Sequence, residues 1–357
     1  MVNLDSLIRE NIKRLKPYSS ARDEFSGKEG IFLDANENPI GSVGGGDSFN
    51  RYPDPQQRSL RERIAELRNV KSSQIFLGNG SDEAIDLMIR AFCEPGRDKI
   101  LIFPPTYGMY EVCAAVNDVG IMRVNLTEAF DINLQAVLEK ITQEKAIKLI
   151  YICSPNNPTG NSMGRNNIGE VLRQFKGIVI IDEAYIDFSH GTSWVSQIKT
   201  YNNLVIFHTF SKVWGLAGIR LGAAFADETV ITVLNRIKYP YNVNAVTQKI
   251  ALNALNNIEQ HNTMVNTILQ QRTRLVQQLK KISFVNKVFP SDANFILVQF
   301  NRTEEIFNYL IKKQIIVRDR RTAPLCADCL RITVGTKEEN KILINALKNF
   351  DNHDSGV

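Results

Sequence analysis

Short apolar runs alternate with helical patterns along the chain from about residue 75 onward. Continuous apolar runs, without alternation of polar and apolar residues, are typical of strands that are buried on both faces. Between the first two runs, Ile85, Met88, Ile89 and Phe92 recur at the spacing of one helix face. The pattern predicts a doubly wound α/β unit, in which helices cover a mostly parallel sheet. The predicted strands are Ile75–Leu77, Ile100–Phe103, Leu149–Cys153, Ile178–Ile181 and Leu204–Phe207.

A second pattern begins after the segment Lys-Tyr-Pro-Tyr-Asn-Val-Asn at residues 238–244. A helical periodicity runs from about Val246 to Ile282 and predicts one long helix. Strands and helices then follow without a regular strand–helix alternation, which is typical of a smaller α+β domain. The predicted strands are Asn294–Phe300, Ile315–Val317 and Leu330–Val334, with one helix after the first strand and one at the end.

Length and composition agree with two domains in a globular protein. The 357 residues predict an arm over 1–40 that packs with the small domain or a partner subunit, a large domain over 41–240 and a small domain over 241–357. Hydrophobic residues make up 43% and charged residues 23%, which excludes disordered and disulfide-rich proteins. The net charge of +5 is too dilute to indicate binding to nucleic acid.

The cysteines and the N-terminus indicate a reduced, cytoplasmic protein. The odd number of five cysteines lacks the spacing of a disulfide framework. Cys326-Ala-Asp-Cys329 has metal-type spacing, but no second pair accompanies it and the histidines lie elsewhere, so we expect ordinary thiols and no metal. The chain begins without the plan of a signal peptide, and no apolar run approaches the ~18 residues of a membrane span. We therefore expect no membrane association.

Polar segments follow the predicted strands at the ends where open α/β sheets bind ligands. The first, Gly78-Asn79-Gly80-Ser81-Asp82-Glu83, precedes a helix, whose first N–H groups favour an anion; an ordinary strand–helix turn is the alternative. The second, from Ser154 to Gly160, contains two prolines and a glycine, and it would fix the amide of Asn157 at the sheet edge. A purely structural turn is the alternative for this segment.

Two further segments carry charged groups in apolar surroundings. Asp182 ends an apolar strand, which is costly unless a cation or a hydrogen-bond donor meets the carboxylate, and Tyr185 follows it; helix capping is the alternative. Lys212 follows the strand that ends at Phe207. A desolvated lysine loses its proton easily and reacts with aldehydes, whereas a surface lysine is the alternative. Ser211 and Arg220 flank Lys212 with donors that suit a phosphate.

An aldehyde that carries a phosphate and a protonatable ring nitrogen accounts for all four segments. Pyridoxal 5'-phosphate has these groups, and we expect it as the cofactor. Lys212 would bind the aldehyde carbon, and Asp182 would pair with the ring nitrogen. The remaining expected contacts are Asn157 and Tyr185 with the phenolic oxygen, Gly80, Ser81, Asp82, Ser211 and Arg220 with the phosphate, and Tyr107 stacked on the ring.

The sequence resembles the fold-type I aminotransferases, above all in Ser-Lys-x-x-Gly-Leu-Ala-Gly-x-Arg at residues 211–220. Within them it is similar to the histidinol-phosphate aminotransferase family, and the similarity runs from about residue 18 to 350. The stretches that carry this similarity are Leu33–Pro39, Arg51–Asp54, Arg90–Gly96, Tyr107–Tyr110 and Cys329–Gly335.

The resemblance implies transamination between L-histidinol phosphate and 2-oxoglutarate. It also implies a homodimer with shared active sites, in which Tyr52 reaches the cofactor phosphate of the neighbouring subunit. Arg331 would bind the substrate's phosphate or the carboxylate of glutamate, and Tyr18, Asn36 and Arg318 match other positions near the substrate. From the residues alone, Arg331 on an apolar strand is costly unless an anion or a structural ion pair neutralises it.

Two features depart from the family pattern, and other functions stay open. The segment Gly41–Asn50 contains three consecutive glycines, and Arg320-Arg321 follow Arg318, so the sequence does not tell which arginine faces the ligand. An aminotransferase for aromatic or other amino acids, or a decarboxylase of an amino-acid phosphate, would share the cofactor residues. A regulator with an aminotransferase-like domain would need a nucleic-acid-binding module, and the ~30 residues ahead of Asp34 are too few for one.

Overall fold

The computed structural model describes residues 1–18, 30–44 and 49–354. Seven strands form the larger sheet: β1 (Ile75–Asn79), β2 (Lys99–Ile102), β3 (Gly120–Arg123), β4 (Ile147–Cys153), β5 (Ile178–Asp182), β6 (Leu204–Thr209) and β7 (Leu221–Phe225). Their order is β1-β7-β6-β5-β4-β2-β3. Only β7 is antiparallel to its neighbours, β1 and β6. Strands β1, β4, β5 and β6 therefore point the same way, and their carboxyl ends meet at one edge.

Both faces of this sheet are covered, which explains the continuous apolar runs. In β5, Ile178 and Ile180 belong to the apolar cluster on one face, and Val179 and Ile181 to the cluster on the other. All four are fully buried, and burial of such a side chain contributes about 1.5–3 kcal/mol. The short α1 (Glu10–Arg14) precedes the helices that accompany the sheet: α2 (Arg58–Arg68), α3 (Ser81–Phe92), α4 (Met109–Val116), α5 (Leu134–Gln143), α6 (Arg165–Gln174), α7 (Glu228–Ile237) and α8 (Ala245–Leu255).

A smaller antiparallel sheet follows, with its own core. Its strands are β8 (Val285–Val288), β9 (Phe295–Phe300), β10 (Arg318–Asp319) and β11 (Cys329–Thr333), in the order β10-β11-β9-β8. The helices α9 (Ile258–Leu279), α10 (Thr303–Lys312) and α11 (Lys337–Asp354) pack on it through buried residues such as Leu275, Leu310 and Leu347, and Leu330 of β11 belongs to the same core. The predicted fold class, a mostly parallel α/β sheet with a smaller α+β unit, is confirmed.

Two predicted elements are wrong. The single helix over Val246–Ile282 is two helices, because Asn257 leaves the helical conformation (φ −110°, ψ 52°) and its side chain donates to the Asn253 carbonyl. No strand covers Ile315–Val317, because Gln314 turns the backbone with a φ of 59° and pairing with β11 begins only at Arg318. The pattern also missed β3, β7 and β8, of which β7 consists largely of small residues.

The domain boundaries at residues 40/41 and 240/241 stay predictions. Helix α8 lies after the second boundary, yet its Ala251 and Leu255 are part of the larger sheet's core. In the arm, Leu4 and Ile8 are buried in that sheet's other cluster, rather than on the small domain. No helix in the described part of the chain is long and apolar enough to cross a membrane.

A close approach between β7 and the turn after β1 requires glycine at residue 222. A Cβ atom there would lie 2.5 Å from the carbonyl carbon of Gly80 and 2.8 Å from Cα of Ser81. We expect Gly222→Ala to lower the free energy of unfolding by about 1–3 kcal/mol, because the rigid turn must move. Urea denaturation measures this. Gly218→Ala is the matched control, since nothing lies within 4 Å of its Cβ, and an equal loss in both variants would contradict the explanation.

Candidate active site

A cavity of about 160 Å³ lies at the carboxyl edge of the larger sheet. The four polar segments that follow β1, β4, β5 and β6 all contribute to it. The predicted residues that line it are Ser81, Asp82, Tyr107, Asn157, Asp182, Tyr185, Ser211, Lys212 and Arg220, and Cys153, Ala184, Thr209 and Ala217 complete the lining. The topology thus brings together residues that are up to 139 positions apart in the chain, from Ser81 to Arg220.

Asp182 is a buried carboxylate at the end of β5. The hydroxyl of Tyr110 donates to its Oδ2 over 2.7 Å, and the backbone N–H of Ala184 donates to Oδ1 over 3.1 Å. Burial raises the pKa of Asp182 to about 6, although both hydrogen bonds and the charge of Lys212 act in the opposite direction. A cation beside this carboxylate would therefore be strongly favoured.

Lys212 lies in the turn after β6, with its Nζ 5.7 Å from the centroid of the Tyr185 ring. Although the residue as a whole is exposed, desolvation of the ammonium group lowers its pKa, and the positive charge of Arg331 lowers it further. A lowered pKa increases the fraction of neutral amine, which is the form that attacks a carbonyl or removes a proton.

Donors converge at the other end of the cavity, where α3 begins. Gly80 precedes the helix with a φ of 79° and supplies no side-chain cap to its first N–H groups. Arg220 lies beside this turn, with Nη1 3.4 Å from Ser211 Oγ and Nη2 3.4 Å from Asp82 Oδ2. A Cβ on Gly80 would approach Arg220 Nη2 to 2.6 Å, so the glycine allows the guanidinium to lie here. A helix N-terminus and a guanidinium together suit a phosphate.

Arg331 connects the small sheet to this cavity. Its Nη1 donates to Oδ1 of Asn157 over 2.5 Å, and the Asn157 amide in turn donates to the hydroxyl of Tyr185 over 3.5 Å. The guanidinium lies 5.1 Å from the ring centroid of Phe295. Burial lowers the pKa of Arg331. Arg318, on β10, lies directly opposite Arg331 in the strand pair and is exposed.

Six predicted residues do not line the cavity: Gly80, Arg318 and Arg331, which are described above, and Tyr18, Asn36 and Tyr52. Tyr52 is half exposed and stacks on Tyr241 with 4.4 Å between ring centroids. Tyr18 is exposed and borders a separate cavity together with Tyr239. Asn36 is exposed, in a left-handed conformation with a φ of 54°. Their roles stay predictions. Within Gly41–Asn50, residues 45–48 lie outside the described residues.

The sequence interpretation missed the partners that hold Asp182 and its neighbour. Tyr110 is fully buried in the first turn of α4, and its ring packs edge-on against that of Tyr107 with 5.6 Å between centroids. Glu183 accepts hydrogen bonds from the Ser193 hydroxyl at 2.5 Å and the Trp194 N–H at 2.7 Å, and it pairs with His208 Nε2 at 2.9 Å. No local pattern joins these residues, so only the fold reveals this support.

A cavity of this kind, at the carboxyl edge of a doubly wound sheet, defines the class of fold-type I pyridoxal-phosphate enzymes that the sequence resembles. Residues 31–347 match the family "Aminotransferase class I and II", and the chain belongs to this family. It is 52% identical over 348 residues to a protein of Cytophaga hutchinsonii named histidinol-phosphate aminotransferase, which covers 98% of this chain and 99% of that relative.

Solved structures give the same fold. The histidinol-phosphate aminotransferase of Clostridium acetobutylicum superposes with a TM-score of 0.79 at 29% identity, over 85% of this chain and 92% of that one. The enzyme of Sinorhizobium meliloti, solved in complex with pyridoxal 5'-phosphate, has a TM-score of 0.78 at 20% identity, over 88% and 90% of the two chains. The family resemblance and the cofactor expected from the sequence are confirmed.

The residues present fit pyridoxal 5'-phosphate. The buried carboxylate of Asp182 makes no ion pair with any described residue at hydrogen-bond distance, and a protonated ring nitrogen would supply the missing charge. The donors around Gly80 and Arg220 suit the phosphate, and Lys212 lies in the same cavity. The two polar ends of the cofactor would thus find opposite charges at opposite ends of the site.

Without cofactor, Asp182 makes stability depend on pH. Its pKa is higher in the folded protein than in the unfolded chain, so its contribution is full below about pH 4 and is lost as the pH rises through about 6. We expect the free energy of unfolding of Asp182→Asn, relative to that of the wild type, to rise by about 3 kcal/mol as the pH increases from 4 to 8. Urea denaturation of the cofactor-free proteins measures this, and a difference that stays constant with pH would contradict it.

Proposed function

We infer that this protein transfers an amino group between L-histidinol phosphate and 2-oxoglutarate, giving imidazole acetol phosphate and L-glutamate in histidine biosynthesis. Relatives about half identical over nearly the whole chain are named histidinol-phosphate aminotransferases. The observation in the structure that carries the inference is the position of Arg331, which contacts Asn157 at the edge of the cavity that holds Lys212.

The amine and the anion of the substrate account for the two basic side chains, Lys212 and Arg331. Both amino donors, histidinol phosphate and glutamate, carry an amine and, at a distance from it, an anion. Arg331 would bind the anion and thereby place the amine-bearing carbon near Lys212 Nζ. Arg331 has no ion pair with the described residues, so an arriving anion does not have to displace a carboxylate.

The protein's own groups would then control charge and protons. When bound, pyridoxal 5'-phosphate supplies an electron sink for the substrate's Cα carbon. The Asp182 carboxylate would hold the proton on the ring nitrogen, because its burial makes a neighbouring cation favourable. Lys212 Nζ would remove the Cα proton and later return it to the carbon of the cofactor that carried the aldehyde, and its lowered pKa increases the fraction of neutral amine that can act as the base. Tyr110 keeps Asp182 in position through the 2.7 Å hydrogen bond.

A substrate comparison tests the function. We expect turnover of histidinol phosphate with 2-oxoglutarate to exceed that of phenylalanine and phosphothreonine, since Arg331 and Arg318 can both contact a phosphate on a substrate of the right length. Lys212→Ala is the blank, and it should lose at least about 10³-fold in rate because the base is absent. Faster turnover of phenylalanine, or carbon dioxide release from phosphothreonine without an acceptor, would favour the alternative functions.

We also propose a cytoplasmic homodimer with shared active sites. Large apolar side chains at Ile31, Leu33 and Ile40 are each more than 85% exposed in one subunit, and exposed apolar groups of this kind are typical of a protein interface. Tyr52 is half exposed and does not line its own subunit's cavity, which suits a contact with a neighbouring one.

Subunit mixing tests the shared site. Tyr52→Ala should be weakly active and Lys212→Ala nearly inactive, whereas a refolded equal mixture should regain about a quarter of wild-type activity, because half the dimers contain one intact site. The measurement is activity after mixing, with each variant mixed with itself as the control. If the mixture stays as inactive as the single variants, Tyr52 acts within its own subunit or the protein is not a dimer of this kind.

A further inference from the structure

Three arginines lie on one face of the strand pair β10–β11. Arg318 is opposite Arg331 in the antiparallel register, and the backbone N–H of Arg320 continues the pairing by donating to the Cys329 carbonyl over 3.1 Å. Side chains alternate between the two faces of a strand, and residues that are directly opposite share a face. Arg318, Arg320 and Arg331 therefore point to the same side, which is the side on which Arg331 contacts Asn157.

The neighbouring arginine is on the other side and is already paired. Arg321 makes ion pairs with Asp319 at 2.9 Å and with Glu304 at 3.2 Å. Asp319 is opposite Leu330, whose side chain is in the core of the small sheet. The alternation of side chains thus places Arg321, with its two carboxylates, on one face. Arg318, Arg320 and Arg331, which make no ion pair with the described residues, are on the other face.

Arg320 is held close to the active site, and its guanidinium has no hydrogen-bond or ion-pair partner among the described residues. Its Nε is buried and makes no hydrogen bond with the described residues. Burial lowers the pKa of Arg320, and the charges of Arg331 and Arg318 lower it further, while Tyr185 and Cys326 are the neighbours that raise it. Like charges placed opposite one another in a strand pair are destabilising, so this cluster favours an anion.

We propose that Arg320 is the third guanidinium of the substrate's anion site and that it selects a phosphate over a carboxylate. The proposal rests on the function proposed above. A phosphate monoester carries a charge of about −1.5 to −2 at neutral pH and presents three acceptor oxygens, whereas a carboxylate carries −1 and presents two. Two arginines suffice for a carboxylate. The third charge and its extra donors match the additional charge and oxygen of a phosphate.

Direct binding of inorganic phosphate to the cofactor-loaded protein tests the site, because the cofactor's own phosphate then fills the other anion site. We expect Arg320→Gln to raise the Kd of phosphate, measured by calorimetry, by about 10- to 100-fold, which is the effect of one hydrogen-bonded charge. Arg321→Gln removes the same charge one residue away and should leave the Kd within about threefold.

Kinetics of the two half-reactions show whether Arg320 selects the substrate. Arg320→Gln should raise KM for histidinol phosphate by a similar factor and KM for glutamate by less than about threefold, with kcat retained. Arg320→Lys keeps the charge without the planar fork, so it should recover part of the phosphate affinity. Circular dichroism shows whether Arg320→Gln folds. If it does not, the Kd of phosphate in Arg320→Lys is compared with that of the wild type, and an unchanged Kd contradicts the proposal.

Specific outcomes overturn the proposal. An unchanged Kd of phosphate in Arg320→Gln, or equal increases in KM for histidinol phosphate and glutamate, would show that Arg320 does not select the phosphate. The same holds if Arg321→Gln has the same effect as Arg320→Gln. If the wild-type protein does not transaminate histidinol phosphate but binds phosphate in a manner that depends on Arg320, the proposed function fails and the phosphate site stands.

Discussion

The carboxylate of Asp182 is enclosed at the end of a strand whose other residues are all apolar, and much of the site is arranged around this group. A buried carboxylate is costly without hydrogen bonds or a cation. Tyr110 and the backbone of Ala184 supply two hydrogen bonds, but the raised pKa shows that they compensate burial only in part. The remaining cost becomes affinity for a cationic ring, so the same burial that strains the cofactor-free protein favours the loaded one.

The small sheet with its helices contributes Arg331 to the edge of the site, and hydrogen bonds join it to the larger sheet. Arg272 on α9 donates to the carbonyls of Phe188 and Ala293, at 3.3 and 2.8 Å, and thus joins the loop after β5 to the loop before β9. The backbone N–H of Asp292 donates to the Gly160 carbonyl over 2.7 Å, close to the turn that carries Asn157. These bonds join the segment before β9 to the segments after β4 and β5, and β9 pairs with β11, the strand that carries Arg331.

The sequence predicted the parts of the fold in which local pattern and tertiary environment agree. Strands β4, β5 and β6 are buried on both faces, so their apolar runs were unambiguous. Strand β7 was missed because Leu-Gly-Ala-Ala-Phe has little strand preference, and Gly222 is needed there for the approach to Gly80 and Ser81. The break between α8 and α9 was missed because the apolar periodicity continues across Asn256 and Asn257.

The chemistry of the site could be predicted from the order of the residues alone: a lysine, a carboxylate and phosphate-binding donors each follow an apolar run and therefore lie at one edge of a sheet. The tertiary structure decided how these groups face one another. Tyr110 reaches Asp182 across 72 residues, and Arg331 reaches Asn157 across 174. It also placed Arg320 and Arg321, two adjacent arginines that the sequence could not distinguish, on opposite faces of the strand pair. The direction of a side chain depends on the register between β10 and β11, and that register comes from hydrogen bonds between residues far apart in the chain.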